Sequence, residues 1–331
     1  MRTLRRLAAR GRRALAWRAQ RARRGLTGLL ARGIDRAAPS VGRDVVTRNV
    51  YSPVPEVPPP TWEGWDRRHP LSGVEVDLDA QLRYLERELV PYVDEFRPPK
   101  ATSNAREYHL DNGFYCSGDA EVLYATIRRY RPRRILELGG GFSTLVSAEA
   151  CAANARDGKS VEMTSVDPEP RIPLPDRFAS TVRTERADAR DLPLERFLAL
   201  EADDVLFVDT THTVKLGSEV NRVVLEVLPH LRPGVLVHFH DIFLPYDYPR
   251  AWLKRGTYLN EQYLVQALLV ENPRWEVLIA LHALARERAD RLRAAIPSFA
   301  GADPLPSALW LRRAALPRDA AGHSGLPRPT A

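Results

Sequence analysis

Three consecutive glycines interrupt an otherwise regular stretch of the chain, RRILELGGGFSTLVS at residues 133–147. Gly139, Gly140 and Gly141 follow an apolar run that is typical of a short buried strand, and they precede a helical segment. Because glycine has no side chain, its backbone can turn tightly and approach another molecule closely. The next helix would present free N–H groups at the same turn. The stretch predicts a strand, a ligand-binding turn and a helix; the alternative is a tight turn that holds no ligand.

Strands and helices alternate along most of the chain after this stretch. The predicted strands cover residues 133–138, 161–167, 180–188, 204–209, 235–241, 274–281 and 307–313. The predicted helices cover residues 77–96, 118–132, 143–158, 218–231 and 257–270. Such alternation, with strongly apolar strands, is typical of a parallel sheet that helices cover on both faces. The sequence therefore predicts an α/β fold with a doubly wound, mostly parallel, seven-stranded sheet.

The positive charge of the chain is concentrated at its N-terminus. The net charge is +7, but residues 1–48 hold fourteen arginines and two aspartates, a balance of +12, so the remaining 283 residues carry −5. A mildly acidic body argues against a nucleic-acid-binding surface. Residues 1–48 predict either a basic amphipathic helix that contacts an anionic membrane surface or a solvated arm.

Composition also divides the chain into regions. We predict a basic arm at residues 1–50, partly helical or disordered, a proline-rich linker at 51–75, a folded domain at 76–314 and a disordered tail at 315–331. No segment reaches the roughly 20 apolar residues that a membrane-spanning helix needs. Two cysteines cannot form a disulfide framework, which predicts a cytoplasmic protein with reduced thiols.

The glycine turn differs from the dinucleotide-binding fingerprint, which requires a third glycine where this chain has Thr144. The pattern Glu137-x-Gly-x-Gly-x-Ser143 instead resembles the first motif of class I S-adenosylmethionine-dependent methyltransferases. The wider resemblance covers residues 105–312 and includes SVDPEP, DVLFVDTTHTVKLGSEVN, LRPGVLVHFHDIFLPYDYP and LNEQYLVQALL. These stretches are similar to bacterial methyltransferase-domain proteins. The resemblance implies a Rossmann-like methyltransferase fold with Glu137 near the methionine part of the cofactor and the glycines beneath it.

Acidic residues follow the second and third predicted strands. Asp167 ends TSVD, where a carboxylate can accept hydrogen bonds from both ribose hydroxyls of a nucleoside cofactor. The alternative is a solvated aspartate that opens the turn DPEP. The resemblance also implies that the adenine packs near ADARD, where Asp188 or Asp191 receives its exocyclic amine.

Candidate catalytic residues follow the fourth and fifth strands. Asp209 ends FVD, and His240 and Asp241 lie in HFHD. The macrocin and caffeoyl-CoA O-methyltransferase families resemble this arrangement and place a divalent metal there, held by an aspartate and a pair of oxygen ligands. The resemblance therefore implies a metal site at Asp209, His240 and Asp241, although histidine replaces an oxygen ligand and suits softer metals than Mg²⁺.

Two alternatives to that metal site remain open. His240 can act as a general base without a metal, because imidazole titrates near neutral pH, and His212 is the next candidate for this role. Alternatively, His238 and His240 are hydrogen-bonded residues of the strand, where alternation puts both rings on one face.

These features predict a class I S-adenosylmethionine-dependent methyltransferase that methylates an oxygen of a sugar, a glycan or another small hydroxylated acceptor. The alternative is a non-catalytic nucleoside-binding member that its basic arm tethers to a membrane or a glycosylation complex. The expected location is the cytoplasm. If residues 1–48 bind lipid, the protein also contacts the inner membrane surface peripherally. The sequence does not indicate the acceptor or the oligomeric state.

Overall fold

The computed structural model describes residues 63–104, 106–301 and 304–315. Its strands are β1 (Arg134–Leu138), β2 (Glu162–Val166), β3 (Val182–Glu185), β4 (Val205–Val208), β5 (Leu236–Phe239), β6 (Trp275–Ala280) and β7 (Leu309–Arg313). Its helices are α1 (Leu78–Tyr84), α2 (Asp119–Tyr130), α3 (Phe142–Arg156), α4 (Leu194–Leu198), α5 (Glu219–Arg222), α6 (Arg250–Lys254), α7 (Glu261–Leu269), α8 (Leu281–Glu287) and α9 (Ala289–Ala295). None of the helices described is long and apolar enough to cross a membrane.

Two helices, α1 and α5, continue beyond these bounds as π-helical, α-helical or 3₁₀ segments. α1 passes into a π-helical segment at Leu85–Leu89 and ends with Val90–Val93. α5 continues as a π-helical segment at Val223–Val227 and a 3₁₀ turn at Leu228–His230. Each therefore fills the length that the apolar pattern predicts for one helix.

The seven strands form one sheet in the order β3-β2-β1-β4-β5-β7-β6. β1 pairs in parallel with β2 and with β4, whereas β7 runs antiparallel between β5 and β6. The strand order reverses at β1, and ligands of open α/β sheets bind beyond the carboxyl ends of the strands at such a point. The predicted doubly wound, mostly parallel sheet is confirmed.

Burial explains the central strands, and residues at the helix ends explain where the helices begin and stop. Every residue of β4 and of β5 is buried, as expected for strands that are covered on both faces. α2 ends at Tyr130; the next residue, Arg131, has a left-handed φ of 50°, and Pro132 then prevents the helix from continuing. At the start of α5, Ser218 Oγ accepts a hydrogen bond from the Asn221 amide at 3.3 Å and caps the helix.

Helices α8 and α9 are absent from the sequence-based prediction. They lie between the last two strands, in a segment where alanine and arginine predominate and only a thin apolar stripe is present. Leu281, Leu284 and Leu292 are nevertheless fully buried. Alanine and arginine are strong helix formers, so intrinsic propensity together with these three leucines accounts for both helices.

Residues 63–75, which the sequence assigns to the linker, contact the rest of the domain. The His69 amide donates to the Pro245 carbonyl at 2.8 Å, and the Glu271 amide donates to the Gly73 carbonyl at 2.6 Å. The predicted basic arm at 1–50 and all but the first residue of the predicted tail lie outside the described residues, so the predicted division of the chain stays a prediction.

Candidate active site

A cleft of about 550 Å³ opens at the carboxyl ends of the strands. The segments that follow β1, β2, β3 and β4 contribute to its walls, and Phe114 and Tyr115 complete them. The cleft is lined by these predicted cofactor-binding residues: Gly139, Gly140, Gly141, Ser143, Asp167 and Asp188. The structure thus brings together most of the predicted set at the switch point of the sheet.

A side chain would have a different effect at each of the three glycines of the turn. Gly139 has φ +87°, and a Cβ atom there would lie 1.7 Å from the carbonyl oxygen of Asp209. A Cβ atom at Gly140 would lie 2.9 Å from Ser165 Oγ. Gly141 has an extended φ, and a Cβ atom there would meet no protein atom within 4 Å. Gly139 is therefore needed for the close packing of the backbone against Asp209, whereas Gly141 borders open space in the wall of the cleft.

Glu137 lies beneath the turn and does not line the cleft. Its carboxylate is fully buried and accepts hydrogen bonds from Ser143 Oγ at 2.9 Å and from Thr144 Oγ1 at 2.6 Å. Burial raises the pKa of Glu137 to about 7 against the opposing effect of its hydrogen bonds. The resemblance implies that this residue lies next to the cofactor. In the structure Glu137 instead stabilises the start of the helix after the glycine turn through these hydrogen bonds.

Asp167 connects the glycine turn to the segment that follows β2. Its Oδ2 accepts a hydrogen bond from the Gly140 amide at 2.8 Å, and its Oδ1 accepts one from the Glu169 amide at 2.6 Å. An ionised carboxylate has about four acceptor positions, so both oxygens can still accept a hydrogen bond from a ligand. The geometry is compatible with the predicted contact to ribose, which stays a prediction.

The two aspartates predicted near the adenine differ in position. Asp188 lines the cleft, but its carboxylate accepts from the Arg190 amide at 2.8 Å, from Arg190 Nε at 3.0 Å and from Arg190 Nη2 at 2.7 Å. Asp191 is exposed and lies outside the residues that line the cleft. Of the two, only Asp188 is placed to approach a ligand.

Asp209, His212 and Asp241 form a compact cluster of possible metal ligands. Each offers one ligand atom, and these atoms lie within 4.8 Å of one another. His212 Nε2 lies 3.0 Å from Asp209 Oδ1 and 3.6 Å from Asp241 Oδ2. His212 and Asp241 have left-handed φ values of 54° and 56°, which are uncommon for residues other than glycine. Such backbone conformations cluster at functional sites, where the surrounding structure maintains them.

Glu261, the first residue of α7, holds the other side of the His212 ring. Its carboxylate is fully buried, and Oε2 lies 2.8 Å from His212 Nδ1. Each ring nitrogen of His212 therefore faces a carboxylate oxygen, Nδ1 that of Glu261 and Nε2 that of Asp209. Burial lowers the pKa of His212, but the hydrogen bonds to Asp209 and Glu261 outweigh it and raise the pKa well above its usual value.

His212 takes the position that the sequence assigns to His240. The Nε2 atom of His240 lies 3.7 Å from Asp241 Oδ1, beyond hydrogen-bond distance, and its Nδ1 has no partner among the described residues. Its ring faces Tyr115, with the ring centroids 4.9 Å apart. The metal-ligand cluster of the structure therefore includes His212 and not His240.

His238 belongs to the core of the domain. Its ring lies on the same side as that of His240, the residue directly after β5, with ring centroids 6.0 Å apart, as strand alternation predicts. Its ring stacks on Phe207 at 4.1 Å, and neither ring nitrogen has a hydrogen-bond partner in the described part of the chain. Burial lowers the pKa of His238 well below its usual value, which keeps the ring neutral.

The site residues that the sequence analysis did not single out include Phe114, Glu219 and Glu261. Phe114 and Glu219 line the cleft, and Glu261 contacts His212. Phe114 precedes α2, and Glu219 and Glu261 each begin a helix, where an acidic residue is common for electrostatic reasons alone. No local pattern separates such residues from ordinary helix starts, so only their tertiary contacts indicate a role.

Comparison with known proteins agrees with this description. Residues 136–242 match a family model described as a methyltransferase domain. An uncharacterized protein of Archaeoglobus fulgidus is 32% identical over 100 residues, which are 30% of this chain and 44% of that protein, so the match spans less than half of the relative's length.

Solved structures are similar to this chain only at low identity and with TM-scores below 0.5. An apo structure of CmcI-N160 is 16% identical, with 67% of this chain and 91% of that chain covered and a TM-score of 0.39. An O-methyltransferase from Bacillus cereus in complex with SAH is 18% identical, with 51% and 76% covered and a TM-score of 0.29. Similarity at this level carries no argument about the acceptor. Residues 136–242 thus match a methyltransferase domain, and the sheet order and the glycine turn agree with the class I S-adenosylmethionine-dependent type that the sequence predicts.

Proposed function

We propose that the chain transfers the methyl group of S-adenosylmethionine to an oxygen atom of a small hydroxylated acceptor, with a sugar or glycan as the favoured class. The observation that carries the proposal is the cluster of Asp209, His212 and Asp241 at the ends of β4 and β5. Methyl transfer from a sulfonium to a hydroxyl requires alignment of the acceptor and removal of its proton. Two carboxylates and an imidazole beside the cofactor cleft can perform both tasks.

The chemistry of the cluster fits a divalent metal ion. Asp209 and Asp241 supply oxygen and His212 Nε2 supplies nitrogen, a set that suits Mn²⁺, Fe²⁺ or Zn²⁺ better than Mg²⁺. Glu261 at His212 Nδ1 stands where a carboxylate commonly orients a metal-bound histidine. A bound ion would lower the pKa of an acceptor hydroxyl. Asp209 also lines the cleft, so it is the member of the cluster that reaches the acceptor directly.

The mouth of the cleft offers an apolar surface to an acceptor. The side chain of Phe114 is 74% exposed and stacks on Phe142 with ring centroids 6.3 Å apart and planes inclined by 23°. Both rings line the cleft. A large exposed aromatic ring next to a ligand site supplies contact area at a low entropic cost, and its face can pack against a sugar ring.

A labelled-methyl transfer assay tests the proposal. The purified chain is incubated with labelled S-adenosylmethionine and a panel of hydroxylated sugars and lipids, with and without a chelator. His212→Ala and Asp241→Ala should abolish turnover but keep affinity for S-adenosylhomocysteine in calorimetry. His230→Ala, on a histidine outside the cleft and the cluster, serves as the control and should retain activity.

Several outcomes contradict parts of this proposal. Cofactor binding without product from any acceptor would favour the non-catalytic nucleoside-binding alternative. Activity that a chelator leaves unchanged would exclude a metal requirement. Loss of turnover in His240→Ala with full activity in His212→Ala would restore the assignment that the sequence alone favours.

A further inference from the structure

Ser307 lies shortly before β7, and its side chain contacts Asp241 of the metal-ligand cluster. Its Oγ donates a hydrogen bond to Asp241 Oδ1 at 3.1 Å. The other carboxylate oxygen, Oδ2, is the one that lies 3.6 Å from His212 Nε2. The hydroxyl group therefore binds one oxygen of Asp241 and leaves the other oxygen on the side of His212.

The backbone of Ser307 supports the same turn. Its carbonyl accepts a hydrogen bond from the amide of Ile242, the residue after Asp241, at 2.9 Å. Asp241 has a φ of 56°, which residues with a side chain adopt only rarely, so contacts from elsewhere must maintain it. Ser307 provides such contacts with both its side chain and its carbonyl group.

Asp119, the first residue of α2, fixes the position of Ser307. The residue is only 2% exposed. Its Oδ1 and Oδ2 accept hydrogen bonds from the Ser307 amide at 3.1 Å and 3.0 Å, and Oδ1 also accepts from the Ala308 amide at 2.8 Å. A buried carboxylate that binds two successive amides restricts the backbone around Ser307. The hydroxyl group is thus presented to Asp241 from a fixed position.

No second side chain among the described residues shares this task. His240 Nε2 lies 3.7 Å from Asp241 Oδ1, which exceeds hydrogen-bond distance, and His212 Nε2 is nearly as far from Oδ2. The torsion angle of a carboxylate group has a broad energy minimum, so the group rotates easily when nothing holds it. The orientation of Asp241 in the unoccupied cluster therefore depends on Ser307.

We propose that Ser307 is a positioning residue, whose hydroxyl group holds Asp241 with Oδ2 toward His212 and thereby raises both the affinity of the cluster for a divalent cation and the rate of methyl transfer. This inference rests on the proposed function, because it requires that the cluster binds a cation or takes the proton of the acceptor. Hydrogen bonds that orient a metal ligand typically change metal affinity or activity by about 10–100-fold.

Titration of the full chain with Mn²⁺ alone in a calorimeter tests the inference without any acceptor. Ser307→Ala removes only the hydroxyl group and should bind Mn²⁺ at least about tenfold more weakly than the wild type. With an acceptor found in the labelled-methyl assay, its kcat should also fall by at least about tenfold, whereas KM and the affinity for S-adenosylhomocysteine should not change. Ser307→Thr keeps a hydroxyl group and should restore Mn²⁺ affinity and kcat.

Ser298→Ala is the matched control. Ser298 Oγ donates to the carboxylate of Glu121, so this variant loses the same kind of hydrogen bond outside the cluster. Its Mn²⁺ affinity and kcat should equal those of the wild type. Thermal unfolding of all three variants shows whether any loss follows from a general decrease in stability.

The possible outcomes separate this inference from the proposed function. Wild-type Mn²⁺ affinity and kcat in Ser307→Ala would overturn the inference, and so would an equal loss in Ser298→Ala. If Ser307→Thr unfolds at a lower temperature, the comparison of Ser307→Ala with Ser298→Ala decides. If the wild type transfers methyl groups without binding Mn²⁺, kcat is the deciding measurement. A wild type that neither binds Mn²⁺ nor methylates any acceptor would refute the proposed function, and this inference with it.

Discussion

Replacing Gly139 by alanine should disable the cleft through the backbone, without removing any group that could touch the cofactor. The residue has φ +87°, and the new Cβ atom would lie 1.7 Å from the carbonyl oxygen of Asp209, far inside contact distance. A left-handed conformation costs a residue with a side chain about 1–2 kcal/mol. Forcing a methyl group into a packed site costs about 1–3 kcal/mol more. The sum is a destabilisation of about 2–5 kcal/mol.

The expected consequence is visible in two independent assays. For a domain of this size each kcal/mol corresponds to about 2–4 °C, so thermal unfolding should occur roughly 4–20 °C lower. The clash involves the backbone of Asp209, which must move, and cofactor affinity in calorimetry should fall as well. Gly141→Ala is the matched control: φ is extended and no protein atom lies within 4 Å of the added Cβ.

The control separates backbone strain from ligand contact. Gly141→Ala should change the free energy of unfolding by less than about 0.5 kcal/mol in the absence of ligand, as is usual for substitutions without new contacts. It should still weaken cofactor binding if the cofactor passes over this glycine. A Gly139→Ala variant with wild-type melting temperature and affinity would refute the reasoning, because the close approach to Asp209 would then be tolerated.

Four further predictions concern other parts of the chain. Asp167→Ala removes an acceptor for ribose and should weaken S-adenosylhomocysteine binding by about 1.5–3 kcal/mol in calorimetry; unchanged affinity would contradict the assignment. The pKa of Glu137 is raised from 4.5 to about 7 in the folded state, so its stabilising effect is complete below pH 4.5 and lost as the pH rises through 7. Denaturant unfolding should show a loss of roughly 3 kcal/mol over this range in the wild type but not in Glu137→Gln. Deleting residues 1–50 should lower binding to anionic vesicles with little change in melting temperature, and equal vesicle binding would exclude the membrane role. Phe114→Ala should raise KM for the acceptor without affecting cofactor affinity, and an unchanged KM would remove the ring from the acceptor site.

Much of the cleft could be predicted because its residues sit at places that local patterns define. Asp167 and Asp209 directly follow apolar strands, and the carboxyl ends of parallel strands meet at one edge of a sheet. Gly139 stands out in the sequence because three glycines in succession disrupt any regular element. The alternation of strand and helix patterns also predicts the sheet, because a strand that is buried on both faces consists almost entirely of apolar residues.

The chemistry of the cluster depended on contacts that no local pattern records. His212 and Glu261 are 49 positions apart and meet only because the start of α7 packs against the turn after β4, where the amides of Asn260 and Glu261 donate to the His212 carbonyl. The left-handed backbone at His212 and Asp241 then brings their side chains to one point.

The sequence by itself determined the sheet and the position of the ligand-binding edge, because strand periodicity, glycine and acidic strand ends are local properties of the chain. Only the tertiary structure decided that His212 rather than His240 joins the carboxylates, and that Asp188 is paired with Arg190. Side-chain direction depends on backbone turns and on packing between distant segments, and it is therefore fixed only when the whole domain has folded.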